Sequence, residues 1–255
     1  MLSAAVREFA LTPDRFTRVA PPVERFDDGT VCIVQGTTWA AVSGLRTGDV
    51  ARTLVEVRTR VPAGKQVVWW LAEDTQPPDA YDRLRALGLQ EPRDRAPLVH
   101  ALACVEEPAP GPADVEVRPV ASFEEYAAAT EITWEAFATP AARREAQRPH
   151  LRTEYEGMVE HGTPLTFLAW LGGRAAGIGR SVYSERGVFL IAGSVLAEAR
   201  GRGVYRALVR ARWDDAVARG TPALVTEALP DTSYPILKKL GFVDVGMTRR
   251  LEDRG

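Results

Sequence analysis

A segment rich in glycine and arginine, residues 200–206, has the composition of an anion-binding loop. Its sequence is Arg-Gly-Arg-Gly-Val-Tyr-Arg. Because Gly201 and Gly203 lack side chains, successive backbone N–H groups can converge there on phosphate oxygens. A helix that begins after Gly203 adds the partial positive charge of its N-terminus, and each arginine can add a charge-assisted hydrogen bond of about 1.5–3 kcal/mol. The segment therefore predicts a binding site for a pyrophosphate.

Two better-known phosphate loops do not fit this segment. A Walker A loop has Lys followed by Ser or Thr after its last glycine, whereas Val204 and Tyr205 follow Gly203. A dinucleotide-binding fingerprint needs G-x-G-x-x-G within a βαβ unit, and Gly201 and Gly203 supply only its first pair of glycines. A purely structural helix start that happens to be rich in arginine is the alternative interpretation.

The segments around the loop predict the elements that position it. Apolar runs at 165–171, 175–183 and 188–196 are separated by turns that contain glycine, which is typical of an antiparallel meander. Upstream, Ser122 with Glu125 three residues later has the spacing of a capping box at a helix start. The other predicted elements are a strand at 115–120, a helical stretch at 141–160, a helix at 203–219, a strand at 223–227, a helix at 232–240 and a last strand at 242–250.

The two halves of the chain share a faint repeat. Residues 48–88 and 203–241 each predict a helix, a strand and a second helix that ends at glycine, and Leu84-Arg-Ala-Leu-Gly-Leu89 matches Leu237-Lys-Lys-Leu-Gly-Phe242. Only the second copy has the glycine- and arginine-rich loop. The equivalent region of the first copy contains Asp49, which would repel a phosphate. A proline-rich stretch separates the halves. We therefore predict an N-terminal domain at 1–107, a linker at 108–114 and a second domain at 115–255.

Composition limits the class of protein. With 255 residues, 45% hydrophobic and 26% charged, the chain has the composition of an ordinary globular protein. Because 32 basic residues face 34 acidic ones, no overall field favours nucleic acid, although arginines 200, 202, 206, 210 and 212 concentrate positive charge along one loop and helix. Cys32 and Cys104 lie in apolar runs without metal-ligand spacing, which predicts buried thiols and no metal. With neither a signal-like N-terminus nor a membrane-spanning run, we expect a cytoplasmic protein without a membrane partner.

From residue 115 onwards the chain resembles the GCN5-related N-acetyltransferase (GNAT) superfamily. The family signature Q/R-x-x-G-x-G/A is matched at Arg200 and Gly203 and departs at Tyr205, where the family has Gly or Ala. The order of predicted elements also fits, including the helix that ends in Leu-Gly-Phe at 240–242. The first half resembles the degenerate first copy of tandem GNAT proteins. The resemblance implies an α+β fold with a mixed sheet and two GNAT-like acyl-CoA N-acyltransferase domains, the first degenerate.

The same resemblance implies an N-acetyltransferase that uses acetyl-CoA as cosubstrate and no metal. A primary amine would attack the thioester directly, while the backbone N–H near Val195 polarises its carbonyl. The acceptor stays open, as does the choice between monomer and homodimer. The implied CoA-binding residues are Val195 and Leu196 beside the pantetheine arm, and Arg200, Gly201, Arg202, Gly203, Val204, Tyr205 and Arg206 around the pyrophosphate.

Acid and base residues are less evident. In many family members the general acid is a tyrosine four residues before the glycine of Leu-Gly-Phe, but this chain has Leu237 there. Tyr234, one helical turn earlier, is the candidate acid. Glu227 at the end of a predicted strand is the candidate base, and Glu198 and Glu185 in turns are alternatives.

Three residues of the first helix of the second domain, Trp134, Glu135 and Phe137, would border the acceptor pocket in this fold. Trp and Phe at such positions are also typical of the core. A module that binds CoA or a partner protein without catalysis is the alternative function, because Leu237 and Tyr205 depart from the family pattern.

Overall fold

The predicted periodicities correspond to helices and strands in the computed structural model, which describes residues 1–93 and 96–254. Nine α-helices form within these residues: α1 (Ala4–Leu11), α2 (Pro13–Phe16), α3 (Val50–Arg60), α4 (Ala80–Ala86), α5 (Phe123–Ala136), α6 (Ala141–Gln147), α7 (Leu151–His161), α8 (Val204–Ala218) and α9 (Ser233–Lys239). The strands there are β1 (Glu24–Asp27), β2 (Cys32–Gln35), β3 (Trp39–Ser43), β4 (Gln66–Ala72), β5 (Leu98–Cys104), β6 (Val115–Pro119), β7 (Leu165–Leu171), β8 (Arg174–Ser184), β9 (Gly187–Val195), β10 (Leu224–Ala228) and β11 (Val243–Asp253).

The chain divides into two units. Unit 1 consists of Met1–Ala103 and Glu227–Gly255, and unit 2 of Cys104–Thr226. The first division lies close to the predicted linker, but the C-terminal segment differs from the expectation. Strand β11 pairs antiparallel with β4 and β5. Its side chains Val245 and Leu251 are buried, so the last strand completes the sheet and the core of unit 1.

Unit 1 has a mixed sheet in the order β1-β2-β3-β4-β11-β5. Pairing is antiparallel from β1 to β3, parallel between β3 and β4, and antiparallel on both sides of β11. Helices α3 and α4 contribute Leu54 and Leu84 to a core that also contains Trp69 and Leu251, all at most 3% exposed.

Unit 2 has a mixed sheet in the order β6-β7-β8-β9-β10. The first three pairings are antiparallel and β9 with β10 is parallel, so the predicted meander is confirmed. Alternate residues of the strands point to opposite faces. Leu168 and Ile178 pack with α5 and α7, whereas Phe167 and Ala176 pack with α8. The loop at residues 200–206 thus begins the helix that covers one face of this sheet.

The internal repeat is present in the fold. In each copy two antiparallel pairings are followed by a helix and a parallel strand: β1-β2-β3-α3-β4 in the first and β7-β8-β9-α8-β10 in the second. Helices α4 and α9 end alike, since the N–H groups of Leu89 and Phe242 donate to the carbonyls of Leu84 and Leu237, each at 3.1 Å. The longest helix, α8, has 15 residues, and none in the described ranges could span a bilayer.

Candidate functional site

The predicted anion-binding loop connects β9 to α8 in unit 2. Gly201 and Gly203 have left-handed φ values of +75° and +76°, which glycine adopts without strain. Gly203 is the N-cap of α8 and brings no side chain to accept from the first turn. Within the described residues, the N–H groups of residues 201–206 have no hydrogen-bond acceptor. Six consecutive unpaired donors at the positive end of a helix form a nest for an anion.

The equivalent helix of unit 1, α3, begins differently. The Asp49 carboxylate accepts from the N–H of Arg52 at 3.0 Å, and the Thr47 hydroxyl accepts from the N–H of Asp49 at 3.0 Å. A carboxylate therefore already satisfies the N-terminus that a phosphate would need. This capping supports the expectation that the first copy lacks the loop chemistry.

Two arginines of α8 do not add to the positive surface, which corrects the expectation of continuous charge along the helix. Arg212 is only 1% exposed, and its Nε donates to the carbonyl of Leu208 at 3.0 Å. Arg210 is paired with Glu107 at 2.5 Å and with Asp214 at 2.8 Å. The cause is tertiary packing: one arginine points into the core, and acidic side chains neutralise the other.

The remaining arginines lie in or beside the loop and are exposed. Arg202 contacts the carboxylate of Asp114 at 3.3 Å. The Nε of Arg200 donates to the carbonyl of Val195 at 3.3 Å. Arg206 has no ion-pair partner in the part of the chain that the structure describes. Arg200 and Arg206 are therefore the cations available to an anion on the nest.

The segment predicted as a linker packs against this loop within unit 2. A Cβ added at Gly203 would lie 2.5 Å from Cγ of Pro112, and one added at Gly111 would lie 2.5 Å from Cβ of Ala207. A Cβ at Gly201 would meet no atom within 4 Å. Two glycines thus allow a close backbone approach, while Gly201 leaves one side of the nest open.

Strand β9 is irregular just before the loop. Its register with β8 shifts between the pairs Ile178↔Ser194 and Arg180↔Ile191, so Ala192 and Gly193 together oppose Gly179. This is a β-bulge, and Ala192 has a left-handed φ of +51°. The parallel pairing of β9 with β10 ends at Leu190, opposite Thr226. Residues after Leu190 therefore lie outside that ladder.

The two strand-end residues predicted beside the pantetheine arm differ in their backbone groups. Val195 closes the β8 ladder opposite Gly177, and its side chain packs in the core under α8. The N–H of Leu196 donates to the carbonyl of Ala176 at 3.0 Å. The Leu196 amide is therefore engaged within the protein, which argues against it as a donor to a ligand.

The predicted catalytic residues Glu227 and Tyr234 belong to unit 1, whereas the loop belongs to unit 2. Glu227 directly follows Thr226 in β10. Burial raises the pKa of Glu227 to about 8; the negative charge of Asp14 also raises it, and Arg250 opposes both. At neutral pH the carboxyl is mostly protonated, so it could accept a proton readily only near or above pH 8.

Tyr234 belongs to a polar cluster that the sequence did not indicate. Its ring stacks on His100 with centroids 4.0 Å apart, and its hydroxyl lies 3.4 Å from the Asp244 carboxylate. Lys238 donates to the same carboxylate at 2.6 Å and holds the pKa of Asp244 below its usual range. Leu237, at the position of the usual acid, is fully buried. The members come from β5, α9 and β11, so no local motif connects them.

The predicted acceptor-pocket residues at the end of α5 separate by burial. Trp134 is 3% exposed, packs in the core and donates its indole N–H to Gln147 at 2.8 Å. This burial argues against a pocket role for its side chain. Glu135 and Phe137 are exposed. The alternative bases Glu185 and Glu198 are likewise exposed.

Both cysteines are buried free thiols, as predicted, and burial raises the pKa of Cys32 to about 12. Within residues 1–93 and 96–254, no cluster of three or more His, Cys, Asp or Glu side chains is placed to hold a metal ion.

Comparison with known proteins finds solved structures with a similar fold. Neither a protein-family model nor a curated protein matches the sequence. A GCN5-related N-acetyltransferase from Kribbella flavida matches with a TM-score of 0.67 and 19% identity, covering 100% of this chain and 97% of its own. A tandem GNAT protein from the clavulanic acid biosynthesis pathway matches at 0.57 and 14%, covering 97% and 87%. A GCN5-related N-acetyltransferase from Sphaerobacter thermophilus matches at 0.54 and 15%, covering 88% and 80%. The chain thus has the mixed α+β fold of GNAT proteins in a tandem arrangement.

Proposed function

We propose that this protein is an acetyl-CoA-dependent N-acetyltransferase whose unit 2 binds CoA. One observation carries the proposal: the six unpaired N–H groups of residues 201–206 form an anion nest, and the strand before it leaves its parallel ladder at Leu190. The tandem GNAT fold supports the same function. A fold alone does not determine an activity, so the argument depends on the loop.

The loop fits the pyrophosphate of CoA in donors and in charge. Its N–H groups can bind several phosphate oxygens, and the exposed Arg200 and Arg206 can neutralise them. The open side of the nest at Gly201 leaves room for the ligand. The carboxylate of Asp114 beside Arg202 is the one feature that opposes an anion.

When bound, acetyl-CoA would supply an acyl group activated as a thioester. The protein would hold the phosphates at residues 201–206 and donate a backbone N–H near Val195 to the thioester carbonyl. An amine must lose a proton before it attacks. Glu227 and Tyr234 stay the candidate base and acid, and the raised pKa of Glu227 predicts a reaction that is faster above pH 8.

Arg206→Glu tests the loop. We expect the Kd for CoA to rise about tenfold, because one charge-assisted hydrogen bond is lost and a like charge is introduced. Isothermal titration calorimetry measures the change. Arg174→Glu is the matched control, since Arg174 is an exposed arginine at the start of β8, and its Kd should equal that of the wild type. Absence of CoA binding by the wild type, or equal Kd values for Arg206→Glu and the wild type, would contradict the proposal.

Asp114→Asn should have the opposite effect. The change removes a carboxylate that holds Arg202 and repels phosphate, so we expect the Kd for CoA to fall about threefold, as for an exposed ion pair. The gain should disappear at high salt, where exposed charges are screened. Asp231→Asn, an exposed aspartate of unit 1, provides the control in the same titration. Weaker binding by Asp114→Asn would show that Asp114 supports the ligand.

A second candidate function is a CoA-binding module without catalysis. The burial of Leu237 at the position of the usual acid favours it, together with the contact of Tyr234 with Asp244. Release of CoA thiol from acetyl-CoA, measured with a panel of primary amines, separates the two functions. The panel should include cationic amines because Glu135 is exposed at the end of α5. CoA binding without thiol release from any amine would favour the second candidate.

A further inference from the structure

Two side chains of α8 pack directly on the β8–β9 bulge of unit 2. The ring of Tyr205 lies against Gly193 in the bulge, where an added Cβ would be 2.9 Å from Cε2 and 3.3 Å from Oη. The guanidinium of Arg212 covers Gly179 opposite the bulge, where an added Cβ would be 2.6 Å from Cζ. The Tyr205 hydroxyl and the Arg212 guanidinium lie close enough that each affects the pKa of the other. The two glycines thus provide the space that these two large side chains fill.

Arg212 is a buried cation without a carboxylate partner in the described part of the chain. Its Nε donates to the carbonyl of Leu208, and its Nη2 has no acceptor among the described residues. Burial lowers the pKa of Arg212, and the phenol of Tyr205 opposes that effect. Burying a cation costs several kcal/mol, and an apolar side chain of similar volume would avoid this cost. Packing alone therefore does not account for an arginine at this position.

The bulge itself needs support from its surroundings. The left-handed backbone of Ala192 costs about 1 kcal/mol or more in a residue other than glycine. β10 stops pairing with β9 at Leu190, so that ladder does not hold the residues that follow. A slip of one residue would turn the side chains and amides of 193–195 to the other face of the strand.

We propose that Tyr205 and Arg212 fix the register of the bulge at Ala192 and Gly193, and thereby position the N–H groups that follow it for the carbonyl oxygen of an acyl thioester. The inference rests on the proposed function. It makes Tyr205 and Arg212 positioning residues, because they act through the backbone of β9. It also accounts for Tyr205 where the GNAT signature has Gly or Ala: the tyrosine, the buried arginine and the two facing glycines form one arrangement.

Hydrogen exchange of the ligand-free protein tests the bulge. Tyr205→Phe keeps the ring and removes the hydroxyl that lies beside the Arg212 guanidinium. We expect the amides of residues 193–195 to exchange about tenfold faster, because the change removes a polar interaction with a buried charged group beside the bulge. Mass spectrometry of overlapping peptides measures the exchange. Unchanged exchange at 193–195 in Tyr205→Phe would overturn the proposal.

Tyr183→Phe is the matched control. It also removes a tyrosine hydroxyl that bonds α8, since Tyr183 donates to Asp215 at 2.6 Å. Its strand pair with Val188 lies in the regular part of the β8–β9 ladder. We expect exchange at residues 193–195 to match the wild type. Equal acceleration in Tyr183→Phe and Tyr205→Phe would mean general loosening of α8 and would overturn the proposal.

Infrared spectroscopy tests the positioning of the thioester. With acetyl-CoA carrying ¹³C at the thioester carbonyl, the bound band should lie below the free band in the wild type and return towards it in Tyr205→Phe. Arg212→Met, which keeps the volume, should do the same, and Arg212→Lys replaces it if the Met variant does not fold. In Arg212→Met, whose substitution lies outside the nest at 201–206, the Kd for CoA without an acyl group should stay unchanged. The proposal would be overturned if the bound carbonyl band of these variants equals that of the wild type. It would also be overturned if weaker CoA binding explains the return of the band towards the free position.

The two experiments keep the failure of this inference separate from that of the proposed function. If the wild type binds no CoA, the proposed function fails, and the exchange data still decide whether Tyr205 and Arg212 hold the bulge. If the wild type binds acetyl-CoA and the carbonyl band shifts equally in the wild type and in Tyr205→Phe, the positioning role fails and the proposed function stands.

Discussion

Gly203→Ala is expected to weaken CoA binding about a hundredfold, whereas Gly201→Ala is expected to weaken it only about fivefold. Both glycines have nearly the same left-handed φ, so an alanine introduces similar backbone strain at each. Only at Gly203 would the new Cβ also lie 2.5 Å from Pro112. Relief of that clash must move either residues 108–114 or the first turn of α8, and with it the N–H groups of the nest.

Isothermal titration with CoA measures both Kd values, and thermal unfolding of each variant confirms that unit 2 is folded. Because the two variants carry the same substitution at the same φ, the difference between them isolates the contact with Pro112. Similar affinities in Gly203→Ala and Gly201→Ala would show that this contact is unimportant for the loop. Affinity unchanged in both variants would contradict the assignment of the loop as the pyrophosphate site.

Glu227→Gln is expected to stabilise the protein at pH 8 and to leave its stability unchanged at pH 4.5. The pKa of Glu227 is about 8 in the folded chain against an ordinary value of 4.5. Between these values the folded state keeps a proton that the unfolded state loses, so stability falls as pH rises through this window. Glutamine resembles the protonated acid and removes that loss. We expect the free energy of unfolding to rise by about 2 kcal/mol at pH 8. This is less than the full pKa shift of Glu227 implies, because its side chain is partly exposed.

Urea unfolding at several pH values between 4.5 and 8 measures the effect. Asp14 and Arg250 face Glu227, and the pKa of Asp14 is itself raised to about 6 by burial, so the wild type and the variant must be compared at each pH. Glu185→Gln, an exposed turn residue, is the control and should follow the wild type. If the unfolding free energies of Glu227→Gln and the wild type stay equal up to pH 8, the carboxyl of Glu227 does not have a raised pKa.

Local backbone geometry is predictable from the sequence, and long-range packing is not. The loop at 200–206 and the glycine-terminated ends of α4 and α9 depend on residues a few positions apart, so their patterns were evident. The burial of Arg212 depends on the absence of a side chain at Gly179, which lies on another strand. The charge along α8 was therefore overestimated.

The same reason explains the polar cluster around Tyr234 and the position of β11. His100 and Asp244 reach Tyr234 only because β11 pairs with β5. The register of a strand that pairs across more than a hundred residues has no local signal in one sequence. The short strands β1 and β3 of the first half, with four and five residues, were missed because such runs show little periodicity.

The pairing of β11 with β4 and β5 affects the order in which this protein can fold during translation. The first hundred residues leave the ribosome long before the strand that lies between β4 and β5 has been made. Until β11 emerges, the edges of β4 and β5 that it pairs with are open, and such edges are prone to association with other chains. Completion of unit 1 therefore waits for the synthesis of β11. Dividing the chain at residues 108–114 would yield one fragment that lacks the strand between β4 and β5 and another that carries β11 without those partners.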